Sequence, residues 1–133
     1  MANMNLRNVR SDLKTISLNN PMWTPFQIVQ NFLAGAKKEK IAPNTWLRQL
    51  DTDIIVCELY NTDVAKFYSD GNVVLFTGGY NTPTTRERIA AVTQFFCDLE
   101  QSKRIWYIHI WGKSYPFENN RILIDTVNQT IEK

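Results

Sequence analysis

TWLRQLDTDIIVCELYNTDVAKFYSDGNVVLFTG, residues 45–78, is the stretch whose reading decides the fold. Within it the apolar pattern has period two. The segments TWLRQL, TDIIVCELY, TDVAKFYSD and NVVLFTG are rich in β-branched and aromatic residues, and DTD, YNT and SDGN break them apart. Connections this short leave no room for crossover helices, so neighbouring strands run antiparallel in a meander. Asp70-Gly71 is a strong tight-turn signal between the last two.

On either side of the meander the period returns to that of a helix. Upstream, in WTPFQIVQNFLAGAKK, Thr24 is placed to cap a helix, Pro25 suits its first position, and Gln27 completes a capping box. Trp23 and Ile28 are spaced as a hydrophobic staple, and Ile28, Val29, Phe32, Leu33 and Ala36 form one apolar stripe. Lys37, Lys38 and Lys40 then fall at the C-terminal end, where the helix dipole favours cations. Downstream, PTTRERIAAVTQFFCDLEQ (83–101) reads as a second helix, and RIWYIHIW and NRILID as two more strands. The expected fold is α+β: one domain over 22–133, a mainly antiparallel sheet of about six short strands, and two main helices on one face. Residues 1–21 are polar, but Leu6, Val9, Leu13 and Ile16 recur at helical spacing, predicting a short helix or arm before that domain.

Composition sets bounds on function. The hydrophobic fraction of 44% and the four Trp, seven Phe and five Tyr suit a globular protein. A net charge of +2 does not demand a polyanion partner. Cys57 and Cys97 have no zinc-type spacing and are expected to be reduced thiols, so neither a metal nor another cofactor is expected. No signal-peptide pattern and no membrane-spanning run is present, which points to a cytoplasmic protein without a membrane partner.

The meander ends in LFTGGYNTPTTRER (75–88), which supports two readings. In the architectural one, Gly78 and Gly79 supply positive φ, Tyr80 follows them, Pro83 fixes the turn, and Thr84 with Glu87 forms a capping box. In the other, the helix N-terminus, the hydroxyls of Thr82, Thr84 and Thr85, and the charges of Arg86 and Arg88 hold an anion. Arginine in a first helical turn opposes the dipole at about 0.3–1 kcal/mol each. At 100° per residue Arg88 shares the core-facing stripe of Val92, Phe95 and Leu99, whereas Arg86 projects outward to meet a ligand. Arg88 is expected to pack its stem on the sheet and donate to loop acceptors. The loop lacks the Lys-[Ser/Thr] ending of a Walker motif.

His109 is the single histidine, and no adjacent residue gives it a triad or metal set. Asp51, Asp53, Asp63 and Asp70 fall at strand ends, as turn formers do. No catalytic constellation emerges. In RIWYIHIW, Trp106, Ile108 and Ile110 should face the core, leaving Tyr107, His109 and Trp111 on a binding face near Lys103, Arg104 and Lys113. That mixture of rings and cations suits single-stranded nucleic acid as well as a protein interface.

Residues 44 to about 124 resemble small uncharacterised proteins of tailed bacteriophages. Those carry an Asn-Thr opening, a short meander, a Gly-Gly-Trp/Tyr step, then Thr-Thr and basic-x-Arg. Here the steps are Gly78-Gly79-Tyr80, Thr84-Thr85 and Arg86-x-Arg88, with WYIHIW and YPFENN downstream. The resemblance implies phage origin and action in the host cytoplasm, and it transfers no catalytic residue. The expected function is a non-enzymatic protein that binds and modulates a host protein or complex as a takeover or counter-defence inhibitor. The alternatives are a nucleic-acid binder using the basic and aromatic face, or a minor virion component.

Overall fold

The structure is a computed structural model and describes residues 5–132. Its architecture is α+β and almost wholly antiparallel, with ten strands and three helices among the described residues. The chain runs α1 (Leu6–Asn19), α2 (Pro25–Leu33), β1 (Lys38–Ala42), β2 (Thr45–Asp51), β3 (Ile54–Leu59), β4 (Thr62–Tyr68) and β5 (Asn72–Phe76). It continues with α3 (Pro83–Thr93), β6 (Asp98–Ser102), β7 (Ile105–Ile110), β8 (Lys113–Pro116), β9 (Arg121–Asp125) and β10 (Thr130–Glu132).

The meander forms as its period predicts, but within a wider sheet. Seven strands lie in the order β1-β2-β3-β4-β5-β9-β10, and β6-β7-β8 make a second sheet, so the expectation of about six strands was too few. Strand β1 lay hidden because KEKIA reads as a basic helix end. In the structure α2 stops at Leu33, Ala34 takes a left-handed C-cap (φ 49°), and the chain turns straight into β1. Lys37, Lys38 and Lys40 therefore owe nothing to a helix dipole. The Lys38 and Lys40 ammonium groups stand 4.3 and 5.9 Å from the Trp46 ring centroid on the adjacent strand, at cation–π distance.

Cross-strand register explains the core. Leu47, Cys57, Ala65, Leu75 and Ile122 pair in sequence across five strands, and the first four and Ile122 are all fully buried. A second row runs Ile55, Phe67, Val73, Ile124. Period-two alternation thus turns one apolar face toward the helices. On the opposite face Arg48 bridges Glu58 (3.2 Å) and Asp63 (3.5 Å), a charged cover over the sheet.

Three helices, not two, cover the inner face. Val9 and Leu13 of α1 are fully buried in the same core as α2 and the sheet. Residues 1–4 of the expected N-terminal segment, and Lys133, lie outside the described residues. Helix α3 is shorter than the pattern of residues 83–101 suggests. Thr93 donates its hydroxyl back to the Ile89 carbonyl at 2.8 Å, and the Phe96 and Cys97 amides both close on the Thr93 carbonyl. The chain then leaves as β6, where Leu99 pairs with Ile108. A helical apolar pattern through Phe95 and Leu99 loses here to strand pairing with β7, a tertiary override of local preference.

Candidate functional site

The loop after β5 is anchored by one distant side chain. The Thr77 hydroxyl, 1% exposed, donates to Asn120 Oδ1 at 3.1 Å, and the Thr77 amide donates to the Asn120 carbonyl at 2.9 Å. Asn81 reaches the same Asn120 Oδ1 at 3.4 Å, while the amides of Gly79 and Tyr80 close back on Thr77. Gly78 adopts φ +66°, and a Cβ there would lie 3.1 Å from Thr62 Cγ2, 3.5 Å from the Tyr80 ring and 3.7 Å from the Phe76 ring. Glycine is required by conformation and by contact together.

The helix cap is displaced by two residues from its expected place. Thr82, not Thr84, is the N-cap of α3: its hydroxyl accepts from the Thr85 amide at 3.2 Å, and Pro83 takes the first helical position. The Thr85 hydroxyl pairs with that of Thr82 at 3.1 Å, so two threonines replace the Thr84–Glu87 capping box. Glu87 instead holds Arg88 at 2.6 Å. The displacement carries Arg86 to the fourth helical position, which relaxes its conflict with the dipole.

The two arginines part. Arg88 turns inward, with 13% side-chain exposure, and donates from Nε to the buried Thr45 hydroxyl at 2.9 Å. Arg86 is half-buried rather than projecting freely, and it hydrogen-bonds the Gln101 side chain on β6. Neither guanidinium reaches the hydroxyls of Thr82, Thr84 and Thr85.

Those hydroxyls line a cleft of about 480 Å³ formed with Leu59, Tyr60, Thr62, Val64, Thr77 and Tyr80. Its lining carries no charged side chain. Tyr60 and Tyr80 stand at its rim, each 66% exposed, and Phe76, 39% exposed, lies beside Gly78. Tyr60 gets there because Tyr60 and Asn61 form the β3–β4 turn with positive φ (49° and 67°). The sequence singled out Gly78, Gly79, Tyr80, Thr82, Thr84 and Thr85 but missed Tyr60 and Phe76. A tyrosine in place of the usual Asn or Gly of such a turn was the available signal.

The residues of the aromatic strand are not gathered on one face. Trp106, Ile108 and Ile110 are buried as expected. Trp111, however, sits in the β7–β8 turn at φ 54° and packs edge-on against Tyr115 and on the core. Lys103 and Arg104 form the β6–β7 turn, also at positive φ. Tyr107 and His109 are half-buried, and their direct partners across β6 are Glu100 and Asp98. Carboxylates beside the rings oppose a phosphate backbone on that face.

His109 gains neighbours from the two adjacent strands. Its Nδ1 is 2.6 Å from the Ser114 hydroxyl, its direct partner on β8, and its Nε2 is 3.5 Å from Oε2 of Glu100, which lies diagonal to it on β6. The Nε2 contact lacks hydrogen-bond geometry, and the Glu100 side chain is 62% exposed. A carboxylate in water at that distance orients an imidazole weakly, so the group reads as neighbours brought together by sheet pairing. Cys57 and Cys97 are free and buried, and burial pushes both thiols up to about 12, far from nucleophilic use. Among the described residues no cluster of His, Cys, Asp and Glu is arranged to hold a metal, and no helix is long and apolar enough to cross a bilayer.

The family described as Kyanoviridae Gp96 protein matches residues 26–124. The chain belongs to that family. It is therefore a phage protein, of a cyanophage family whose function is uncharacterised. No curated protein and no solved structure matches the chain. The matched segment of the Gp96 chain contains the whole Tyr60–Tyr80 cleft and the Asn120 anchor that shapes it.

Proposed function

We propose that the chain is a non-enzymatic phage protein that binds a host protein through the Tyr60–Tyr80 cleft and modulates it during infection. The observation that carries this reading is the pair of two-thirds-exposed tyrosines over an uncharged, threonine-lined cleft. Tyrosine gives large contact area at a cost of only two side-chain torsions, and it is enriched where protein interfaces concentrate their energy. Neutral hydroxyls below suit the backbone and side-chain amides of a protein. A nucleic-acid backbone would want cations in the same place, and the cleft lining has none. The alternative through Arg86, Lys103, Arg104, Tyr107, His109 and Trp111 has weaker support, because these residues lie on two turns, a half-buried face and a helix.

The test is affinity capture from host lysate, with and without nuclease, using the wild-type chain, a Tyr60→Ala/Tyr80→Ala double variant and a Lys103→Ala control. The expected result is a partner held by wild type and control, lost by the double variant, and indifferent to nuclease. Capture that is nuclease-sensitive, or that the double variant retains, overturns the proposal.

A further inference from the structure

A second site lies away from that cleft, on α1. Arg7, Arg10 and Lys14 stand at i, i+3 and i+7, the spacing that stacks side chains along one side of a helix. That side borders α3 and β6 across a cleft of about 590 Å³, whose lining also includes Ser17, Gln94, Phe95 and one carboxylate, Asp98, against the three cations. At Arg10 the cleft continues into a smaller one of about 350 Å³ that reaches Arg86.

Among the described residues, Arg7, Arg10 and Lys14 form no ion pair. The Nε of Arg10 is buried and has no hydrogen-bond partner among the described residues. A buried donor of a guanidinium left unpaired is costly, and in a native site it calls for an explanation. The carboxylates nearby do not supply one: Glu87 is held by Arg88, and Asp98 is in no ion pair. Three cations in one row repel each other until an anion joins them, and guanidinium forks match phosphate oxygens two at a time.

The other end of the cleft has different chemistry. Phe95 is a half-buried ring and Leu18 is 72% exposed, while the Gln94 amide, which also borders Arg10, offers a donor and an acceptor between the two ends. From Arg10 to Leu18 the helix advances about 12 Å. A ligand that fills the cleft therefore has phosphates at one end and a flat, partly apolar body with hydrogen-bonding edges at the other. We propose that the cleft between α1, α3 and β6 binds a nucleoside polyphosphate, with its phosphates on Arg7, Arg10 and Lys14 and its base against Phe95 and Gln94. A continuous nucleic-acid strand fits less well, because Glu87 interrupts the cationic track toward Arg86.

Binding of ATP, GTP, CTP and UTP to the full chain by titration calorimetry tests this, alongside inorganic triphosphate, adenosine and a thymidine 20-mer. At least one nucleotide is expected to saturate the protein with a dissociation constant below about 1 mM, tighter than triphosphate and adenosine by about tenfold or more. Lys14→Glu and Arg7→Glu, both at exposed positions, should each weaken it by about tenfold or more without moving the melting temperature. Amide shifts on binding should centre on Gln94 and Phe95. The proposal is overturned if no nucleotide saturates, if triphosphate alone binds as well, if the 20-mer binds more tightly than every nucleotide, or if the charge-reversed variants bind unchanged. Tyr60 and Tyr80 line neither part of this cleft, so its failure leaves the protein-binding proposal standing.

Discussion

Replacing Thr45 by valine should be among the most damaging one-atom changes in this chain. Thr45 is fully buried at the start of β2. Its hydroxyl donates to the Pro43 carbonyl at 2.8 Å and accepts from Arg88 Nε at 2.9 Å, which ties α3 to the sheet. Valine keeps the volume and strands both partners. Losing a hydrogen bond to a charged donor costs about 1.5–3 kcal/mol and the neutral one about 0.5–1.5, together about 2–4.5 kcal/mol. With an unfolding entropy of about 2.1 cal/mol/K per residue, that lowers the melting temperature by about 7–16 °C. Urea unfolding followed by circular dichroism measures the loss, with the slope unchanged. Arg88→Met keeps the aliphatic stem and removes the donors, and Glu87, 55% exposed, tolerates their absence. The Thr45→Val/Arg88→Met double variant should then cost less than the sum of the singles by about 1–3 kcal/mol. If Thr45→Val falls within about 0.5 kcal/mol of wild type, or the two changes simply add, Arg88 is not an architectural residue and the reasoning fails.

Gly78→Ala and Gly79→Ala separate conformation from contact. Both glycines have positive φ, but a Cβ at Gly79 meets nothing while one at Gly78 presses on Thr62, so Gly78→Ala should destabilise more in parallel melts. The Cys57 and Cys97 thiols, held near 12 by burial, should react with a disulfide reagent at pH 8 only as fast as the chain unfolds; rapid native-state labelling refutes their placement. Asp125 is held below the usual carboxylate range by the Asn128 amide first, then the Asn128 side chain and the Val127 amide. A depressed folded pKa means this turn contributes stability above the ordinary carboxyl value and loses it as pH falls through the folded one, a course that carbon-detected NMR titration of Asp125 follows. Ser114→Ala should leave hydrolysis of activated esters at the wild-type background; turnover that depends on Ser114 refutes the non-enzymatic reading.

The parts of the fold that were legible in the sequence are those where one local signal decides. The capping box of α2 reads directly as Thr24 and Gln27, and the structure shows both of its hydrogen bonds. The meander's alternation is equally local, since each strand buries one face. The rest depends on partners distant in sequence. β1 looks like a cationic helix end until Trp46 is set beside it. The segment 95–101 has a helical pattern until β7 offers Leu99 a partner, and Trp111 belongs to a strand face until the turn at Gly112 takes it.

The candidate cleft shows the same division at the level of single residues. Two local rules compete at the start of α3: a Thr-x-x-Glu box beginning at Thr84, and a Thr-Pro step that puts proline at the first helical position. Either satisfies the helix end locally. Asn120, 43 residues beyond Thr77, holds the loop at Thr77 and Asn81, immediately before the cap at Thr82 and the helix start at Pro83. That choice releases Glu87 to Arg88 and sends Arg86 toward Gln101. It also leaves the hydroxyls of Thr82, Thr84 and Thr85 lining a neutral cleft. A shift of two residues in a helix cap thus changes the chemistry of the loop from an expected anion cradle to an uncharged cleft. Asn120→Ala tests the chain of causes: it should loosen residues 77–82 in hydrogen exchange while the Arg88–Thr45 contact persists. If exchange there is unchanged, the cap is set locally and Asn120 is incidental.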